Sequence, residues 1–228
     1  MMSENIGWHV HVSNIKAELY RQACHDTALY IIGRDDAYKA EQIKGRKETL
    51  EWALVEASST LGLAMEFGVA EGDSLRTIAE CRPVYGFDSF EGLPEDWRSG
   101  FPKGHFAMSA CAERIDTVAG IPGSHLVIGR FEETLSPLLI KQWDAFDGEP
   151  FIAFVHIDCD LYSSARYVLD HIKPHLCEGA IIVLDEYWNY PGWCNGEFAA
   201  LEDSEIPYSI IGYNYIGESV VVRTTRQK

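Results

Sequence analysis

The sequence predicts a doubly wound α/β domain preceded by a helical extension, and three observations carry that prediction. From residue 60 onward, apolar runs of strand length alternate with helix-like segments. The runs lack polar alternation, as strands buried on both faces do, and strands alternating with helices imply right-handed crossovers and a parallel sheet. Near the C-terminus the rhythm breaks into two strand-like runs joined by a short turn, the pattern of an antiparallel hairpin.

Taken in order, residues 4–59 read as helical in at least two pieces. They are separated near Gly33-Arg34-Asp35-Asp36, where Asp35 or Asp36 is placed to cap the second piece. No strand signal precedes residue 60. Strands are then expected at 61–69, 84–88, 126–129, 151–157 and 180–184, with helices at 73–81, 132–142 and 162–177. Residues 207–215 and 219–224, around the turn Ile216-Gly217-Glu218, form the hairpin on the edge of the sheet. The expectation is a Rossmann-like sheet of seven strands, five of them parallel, in one domain over 60–228. Residues 1–59 form a separate lid or oligomerisation segment, for which Trp8, Tyr20 and Tyr30 supply apolar surface. One long connection, residues 89–110, holds three glycines, two prolines, three phenylalanines and Trp97. It reads as a lid or substrate wall, because long connections without secondary structure in compact domains are usually functional or disordered, and aromatics argue against disorder.

Composition narrows the function. Among 228 residues, 35 Asp and Glu against 19 Lys and Arg give a formal net charge of -16. With no basic stripe to offset it, such a chain is repelled by nucleic acid and by anionic membranes. The opening MMSENIGWHVHV has neither a basic nor an apolar leader region, and no apolar run approaches the ~20 residues of a membrane span, so a cytoplasmic protein is expected. The six cysteines, Cys24, Cys81, Cys111, Cys159, Cys177 and Cys194, form no CxxC pair and read as reduced thiols used mostly for packing.

The residues that carry chemistry gather at strand ends. Gly68 and Gly72, in EFGVAEGDS, allow a tight turn into a helix whose free N–H groups face a ligand there. Asp88 closes the next strand, the position from which a carboxylate accepts hydrogen bonds from ribose hydroxyls. Asp158 in HIDCDLYSS, and Asp185 and Glu186 in LDEYW, close two strands expected to be neighbours, about 4.8 Å apart. Three unpaired carboxylates at one spot repel unless some are protonated or a cation joins them, and Mg²⁺ is the natural oxygen-bound cation. His156 shares a strand face with Asp158 and is either a buried structural residue or part of the site. His105, on the long connection, is either a base brought in by loop closure or an exposed residue.

In order and spacing, EFGVAEGDS, GFDSFEGLP, HIDCDLYSS and DEYWNYPGWCNGEFAAL resemble the TylF/MycF/NovP-type O-methyltransferases, and more distantly catechol O-methyltransferase, over residues 61–203. The resemblance implies a class I, S-adenosylmethionine-dependent methyltransferase domain. It implies Glu66, Gly68, Gly72 and Ser74 around the methionine end of the cofactor and Asp88 on the ribose. Ser89 and Phe90 would lie beside the nucleoside, with Phe131 and Glu132 at the adenine. It also implies Asp158, Asp185 and Glu186 as metal ligands, with Asp185-Glu186 standing where these enzymes usually carry Asp-Asp.

The parts are consistent with transfer of a methyl group to a hydroxyl of a sugar, glycan precursor or phenolic molecule. Mg²⁺ would lower the acceptor's pKa and Asp158 would take its proton. Trp97, Phe101, Phe106, Tyr162, Tyr187 and Trp188 are the expected wall of the acceptor pocket. An NAD-dependent oxidoreductase fits less well, because the glycines are spaced G-x-x-x-G rather than G-x-G-x-x-G. A non-catalytic binding module on the same fold is the third reading.

Overall fold

The computed structural model describes residues 14–108 and 112–225, so Trp8 and Cys111 lie outside the described residues. Five parallel strands form one side of the sheet, out to its edge at β4: β2 (Leu63–Phe67), β3 (Val84–Asp88), β4 (Ser124–Ile128), β5 (Ile152–Ile157) and β6 (Leu176–Leu184). The hairpin β7 (Tyr208–Asn214) and β8 (Val220–Thr224) inserts β8 antiparallel against β6. Each strand buries alternate residues on opposite faces. Met65, Phe67, Val155, Ile157, Ile182 and Leu184 belong to one core, and Ala64, Phe154, Ile181 and Val183 to the other. Helices cover both faces, which is why the strand sequences read as continuous apolar runs.

Two expectations need correction. The sheet has eight strands, in the order β1-β7-β8-β6-β5-β2-β3-β4, because the extension contributes β1 (Glu41–Ile43). This strand pairs in parallel with β7, Glu41 opposite Gly212 and Ile43 opposite Asn214. Its two leading residues are polar and exposed, so its order comes from a partner about 170 positions away in the chain and not from local propensity. The helical part of the extension is α1 (Ile15–Gly33), α2 (Asp35–Lys39) and α3 (Arg46–Glu56). Nor does Asp35 or Asp36 supply a side-chain cap to α2, whose N-cap is Arg34. Asp36 instead accepts the N–H of Ile210 at 2.9 Å and pairs with Arg34 at 2.8 Å, docking the extension onto β7.

The remaining helices are α4 (Asp73–Cys81), α5 (Ala112–Ala119), α6 (Phe131–Ala145), α7 (Tyr162–Ile172) and α8 (Glu197–Ser204). Helix α7 stops before Pro174, which has no N–H to continue the helical ladder, and a single 3-10 turn then leads into β6. All five described cysteines are free, as expected; only Cys159 is fully buried, while Cys24, Cys81 and Cys194 are exposed and so do not pack. No helix among the described residues is long and apolar enough to cross a membrane.

Candidate active site

The sheet fixes where the site lies. From β2 the chain winds outward through β3 and β4, then returns to β5 on the other side of β2 and winds outward through β6. The crevice beyond the carboxyl ends of β2 and β5 is therefore the switch point at which doubly wound sheets bind ligands. The glycine turn fills one side of it. Gly68 has φ +90°, and a Cβ there would strike the carbonyl oxygen of Asp158, so only glycine lets the ends of β2 and β5 approach this closely. Gly72, at φ +81°, starts α4 and packs against Ile121 and Val118.

Asp88 ties this turn to the next. Its Oδ2 accepts the N–H groups of Val69 and Ala70, both at 2.9 Å, and its Oδ1 accepts that of Phe90 at 2.7 Å. One carboxylate thus shapes both loops bordering the crevice.

Strand register assembles the acidic cluster. Glu66 on β2 lies opposite His156 on β5, and His156 lies opposite Val183 on β6, two residues before Asp185 on the same face. His156 is buried, with Nδ1 2.8 Å from Oε1 of Glu66 and Nε2 3.8 Å from Oδ1 of Asp185. The second distance is an electrostatic contact, not a hydrogen bond. Burial alone would depress the histidine's pKa, yet the Asp185 and Glu66 carboxylates lift it to about 10. Burial, and then the neighbouring Asp185, push the Asp158 carboxyl up to about 7. Burial, and then Asp158, do the same to Asp160. Glu186 and Glu197 are raised well above the usual carboxylate range, again mainly by burial.

These residues suit an oxygen-bound cation. His156, Asp158 and Asp185 each offer one ligand atom, all within 4.8 Å of one another. Glu186 is not in that group, but its buried Oε2 has no hydrogen-bond partner and its side chain borders the adjoining cavity. Arg46 already places its guanidinium on Asp158 and Asp185. Two carboxylates, which already draw the Arg46 guanidinium, and the orphaned oxygen of Glu186 beside the cavity are ligands of the kind a hard divalent cation takes. His156 has both ring nitrogens turned to carboxylates, Nδ1 to Glu66 and Nε2 to Asp185.

A cavity of about 310 Å³ opens over the crevice. Gly68, Asp88, Ser89, Phe131 and Glu132 line it together with Asp158 and Glu186. Glu66, Gly72, Ser74 and Phe90 do not line it. Glu66 is fully buried against His156, Phe90 is in the core, and Gly72 and Ser74 begin α4 behind the turn.

The long connection forms a wall, with Trp97, Phe101 and Phe106 on the cavity. It is held by its own backbone bonds, including Leu93 to His105 at 2.9 Å and Trp97 to Phe101 at 3.0 Å. His105 is half-buried against Phe101 and Phe106 and does not line the cavity. Tyr187 and Trp188 do not wall the pocket as expected; both are fully buried core residues, because the chain turns inward after Glu186. Tyr162 borders a second cavity of about 690 Å³ that shares Trp97, Arg98 and Asp160 with the first.

Three contributors were not read from the sequence. Arg46 reaches the cluster from α3, across 112 positions of chain, and no local pattern marks it. Glu197 on α8 is fully buried and accepts the N–H of Glu186 at 3.1 Å. Asp160 lines both cavities in a left-handed conformation, φ +64°, and the spacing Asp158-x-Asp160 was the available signal.

A family model described as a methyltransferase domain matches residues 65–187, more than half of the chain and the whole stretch from β2 to the residues after Glu186. The chain belongs to that family. It is an enzyme of the S-adenosylmethionine-dependent methyltransferase class. Its fold is that of CalS11, a calicheamicin methyltransferase, with 22% identity, a TM-score of 0.60 and 98% of each chain covered. A second structure of CalS11, described as a TDP-rhamnose 3'-O-methyltransferase, aligns at 21% identity and a TM-score of 0.55, over 96% of this chain and 99% of that one. The O-methyltransferase NovP aligns at 16% identity and a TM-score of 0.54, over 93% of this chain and 98% of that one. No curated protein sequence matches the chain.

Proposed function

We propose that this methyltransferase transfers a methyl group from S-adenosylmethionine to a hydroxyl of a small polyhydroxylated acceptor, with a divalent cation, Mg²⁺ by its oxygen donors, at Asp158, Asp185 and Glu186. One observation carries the reading: the acidic cluster and the glycine turn border the same cavity at the switch point. Gly68, Asp88, Ser89, Phe131 and Glu132 offer the cofactor its cradle, and Glu66, Gly72, Ser74 and Phe90 support that cradle from behind.

Methyl transfer is an in-line displacement, so the protein's tasks are alignment, exclusion of water and acceptance of a proton. Trp97, Phe101 and Phe106 give the acceptor an apolar face and keep water from the sulfonium. A divalent cation in the cluster would lower the pKa of an acceptor hydroxyl and select vicinal hydroxyls. Asp158 is the proton acceptor in this reading, its carboxyl pushed up near neutrality. Asp160 is the second candidate, since it is raised as far and forms no ion pair among the described residues. The sugar nucleotide named for CalS11 makes sugar hydroxyls the first acceptors to test.

Calorimetry with S-adenosylhomocysteine and with NAD tests the cofactor half: saturable binding of the first alone is expected, and binding of neither refutes the cradle. Methyl transfer lost in EDTA and restored by Mg²⁺ tests the other half. Undiminished turnover in Asp158→Ala would remove Asp158 as base and leave Asp160.

A further inference from the structure

Arg46 is the first residue of α3, and its backbone is fastened away from the cavity. The N–H of Gly45 donates to Oδ1 of Asn214 at 3.1 Å, and the Thr49 hydroxyl donates to the carbonyl of Gly45 at 2.8 Å. From that anchor the side chain reaches across to the carboxyl ends of β5 and β6. There Nη2 meets Oδ2 of Asp158 and Nε meets Oδ2 of Asp185.

The two sides of this contact differ in freedom. Asp185 is 5% exposed and Asp158 21%, both at strand ends held in the ladder by their own N–H groups. The Arg46 side chain is 58% exposed and lines the cavity. The carboxylates are fixed, whereas the guanidinium is a long flexible arm with open space behind it. It can leave and return without moving the backbone.

We propose that Arg46 is the resident counter-ion of the Asp158–Asp185 pair, that a divalent cation binds by displacing it, and that its side chain thereby sets the affinity of the site for the cation. The inference rests on the cation-site reading given above. It goes beyond that reading by assigning a role to a residue of the N-terminal extension. A guanidinium and a divalent cation cannot share the same two carboxylate oxygens at close range, because their like charges repel in a partly desolvated site. Displacement also moves the Arg46 side chain, which lines the cavity.

Calorimetric titration of Mn²⁺ into the metal-free full chain, without cofactor or acceptor, tests this. Arg46→Met keeps the apolar stem and removes the charge, so Mn²⁺ is expected to bind at least tenfold more tightly than to the wild type. Arg46→Lys, which keeps a charge but not the fork, should fall between them. A second readout uses the wild-type protein alone: on Mg²⁺ titration the ¹⁵N-edited Nε–H signal of Arg46, assigned by its loss in Arg46→Lys, shifts with the same midpoint as binding.

Equal or weaker Mn²⁺ binding by Arg46→Met, or an Arg46 signal that stays put while Mg²⁺ saturates the site, overturns the displacement role and leaves the cation site standing. If neither wild type nor variant binds Mn²⁺ at millimolar concentration, the cation-site reading falls, and this inference with it. Binding by the variant but not by the wild type supports the displacement role in its strongest form.

Discussion

Asp88→Asn is the most informative single change, because one carboxylate accepts three backbone N–H groups on both sides of the cofactor crevice. Asparagine has one accepting oxygen. If that oxygen replaces Oδ2, the N–H of Phe90 faces an NH₂ group at a spacing of 2.7 Å; if it replaces Oδ1, the N–H groups of both Val69 and Ala70 do. A hydrogen bond to a charged group contributes about 1.5–3 kcal/mol, and Asp88 is half-buried, so the lower part of that range applies. Losing one such bond costs about 1.5–2 kcal/mol, which for a chain of this size corresponds to a fall in Tm of about 3–8 °C. Affinity for S-adenosylhomocysteine should fall at least tenfold, since the turn is misshapen and the carboxylate proposed for the ribose is gone. Differential scanning calorimetry and isothermal titration measure the two effects separately. Unchanged melting would refute the account of the turn, and a lowered Tm with undiminished S-adenosylhomocysteine affinity would refute the ribose role alone.

Two further outcomes are expected. In EDTA the wild type should lose stability as pH rises from about 4 to about 7. Over that range Asp158 and Asp160 stay protonated in the folded chain, with carboxyls near pH 7, while the unfolded chain has ionised near its ordinary carboxylate value of about 3.9. Asp158→Asn should flatten this slope in a series of thermal melts, and an unaltered slope would count against the burial argument. Gly68→Ala should cost more than about 2 kcal/mol by chemical denaturation, because it sets a Cβ against the Asp158 carbonyl at a positive φ; a wild-type midpoint would show that β2 and β5 do not need the close approach.

What could be read in advance follows a physical division. Strands buried on both faces announce themselves, so 84–88 and the helix at 73–81 match β3 and α4 residue for residue, and the hairpin lies within the residues expected for it. The carboxylates at strand ends were legible for a related reason: position along a parallel strand sets which edge of the sheet a residue reaches. Pairing across the chain leaves no local mark. Strand β1 lies within residues that read as helical, because its partner β7 supplies the order, and Arg46 is one arginine among many until α3 is docked. Side-chain direction was the other blind spot. Tyr187 and Trp188 follow Glu186 directly, yet the turn after β6 sends them into the core while Glu186 borders the cavity. Glu66 likewise points into the sheet toward His156, so its bearing on a cofactor is exerted through the strand that carries it.

Charge balance gives the cluster its purpose. Glu66, Asp158, Asp160, Asp185, Glu186 and Glu197 surround His156 and Arg46, so even with both basic groups protonated the acids outnumber the cations. A site this buried does not tolerate uncompensated negative charge, and the upward shifts at Asp158, Asp160, Glu186 and Glu197 are that intolerance expressed as proton uptake. Protons are the costlier remedy under the proposed reaction, because a protonated Asp158 could not take the acceptor's proton. A divalent cation would offset the same charge while keeping Asp158 ionised, with its second carboxylate oxygen left to accept the proton. Arg46 then serves the interval between turnovers, offering partial compensation that leaves when a stronger cation arrives. Its exposed arm and its distant anchor beside Asn214 fit a residue that must yield; a buried arginine locked between two acids would have closed the site permanently.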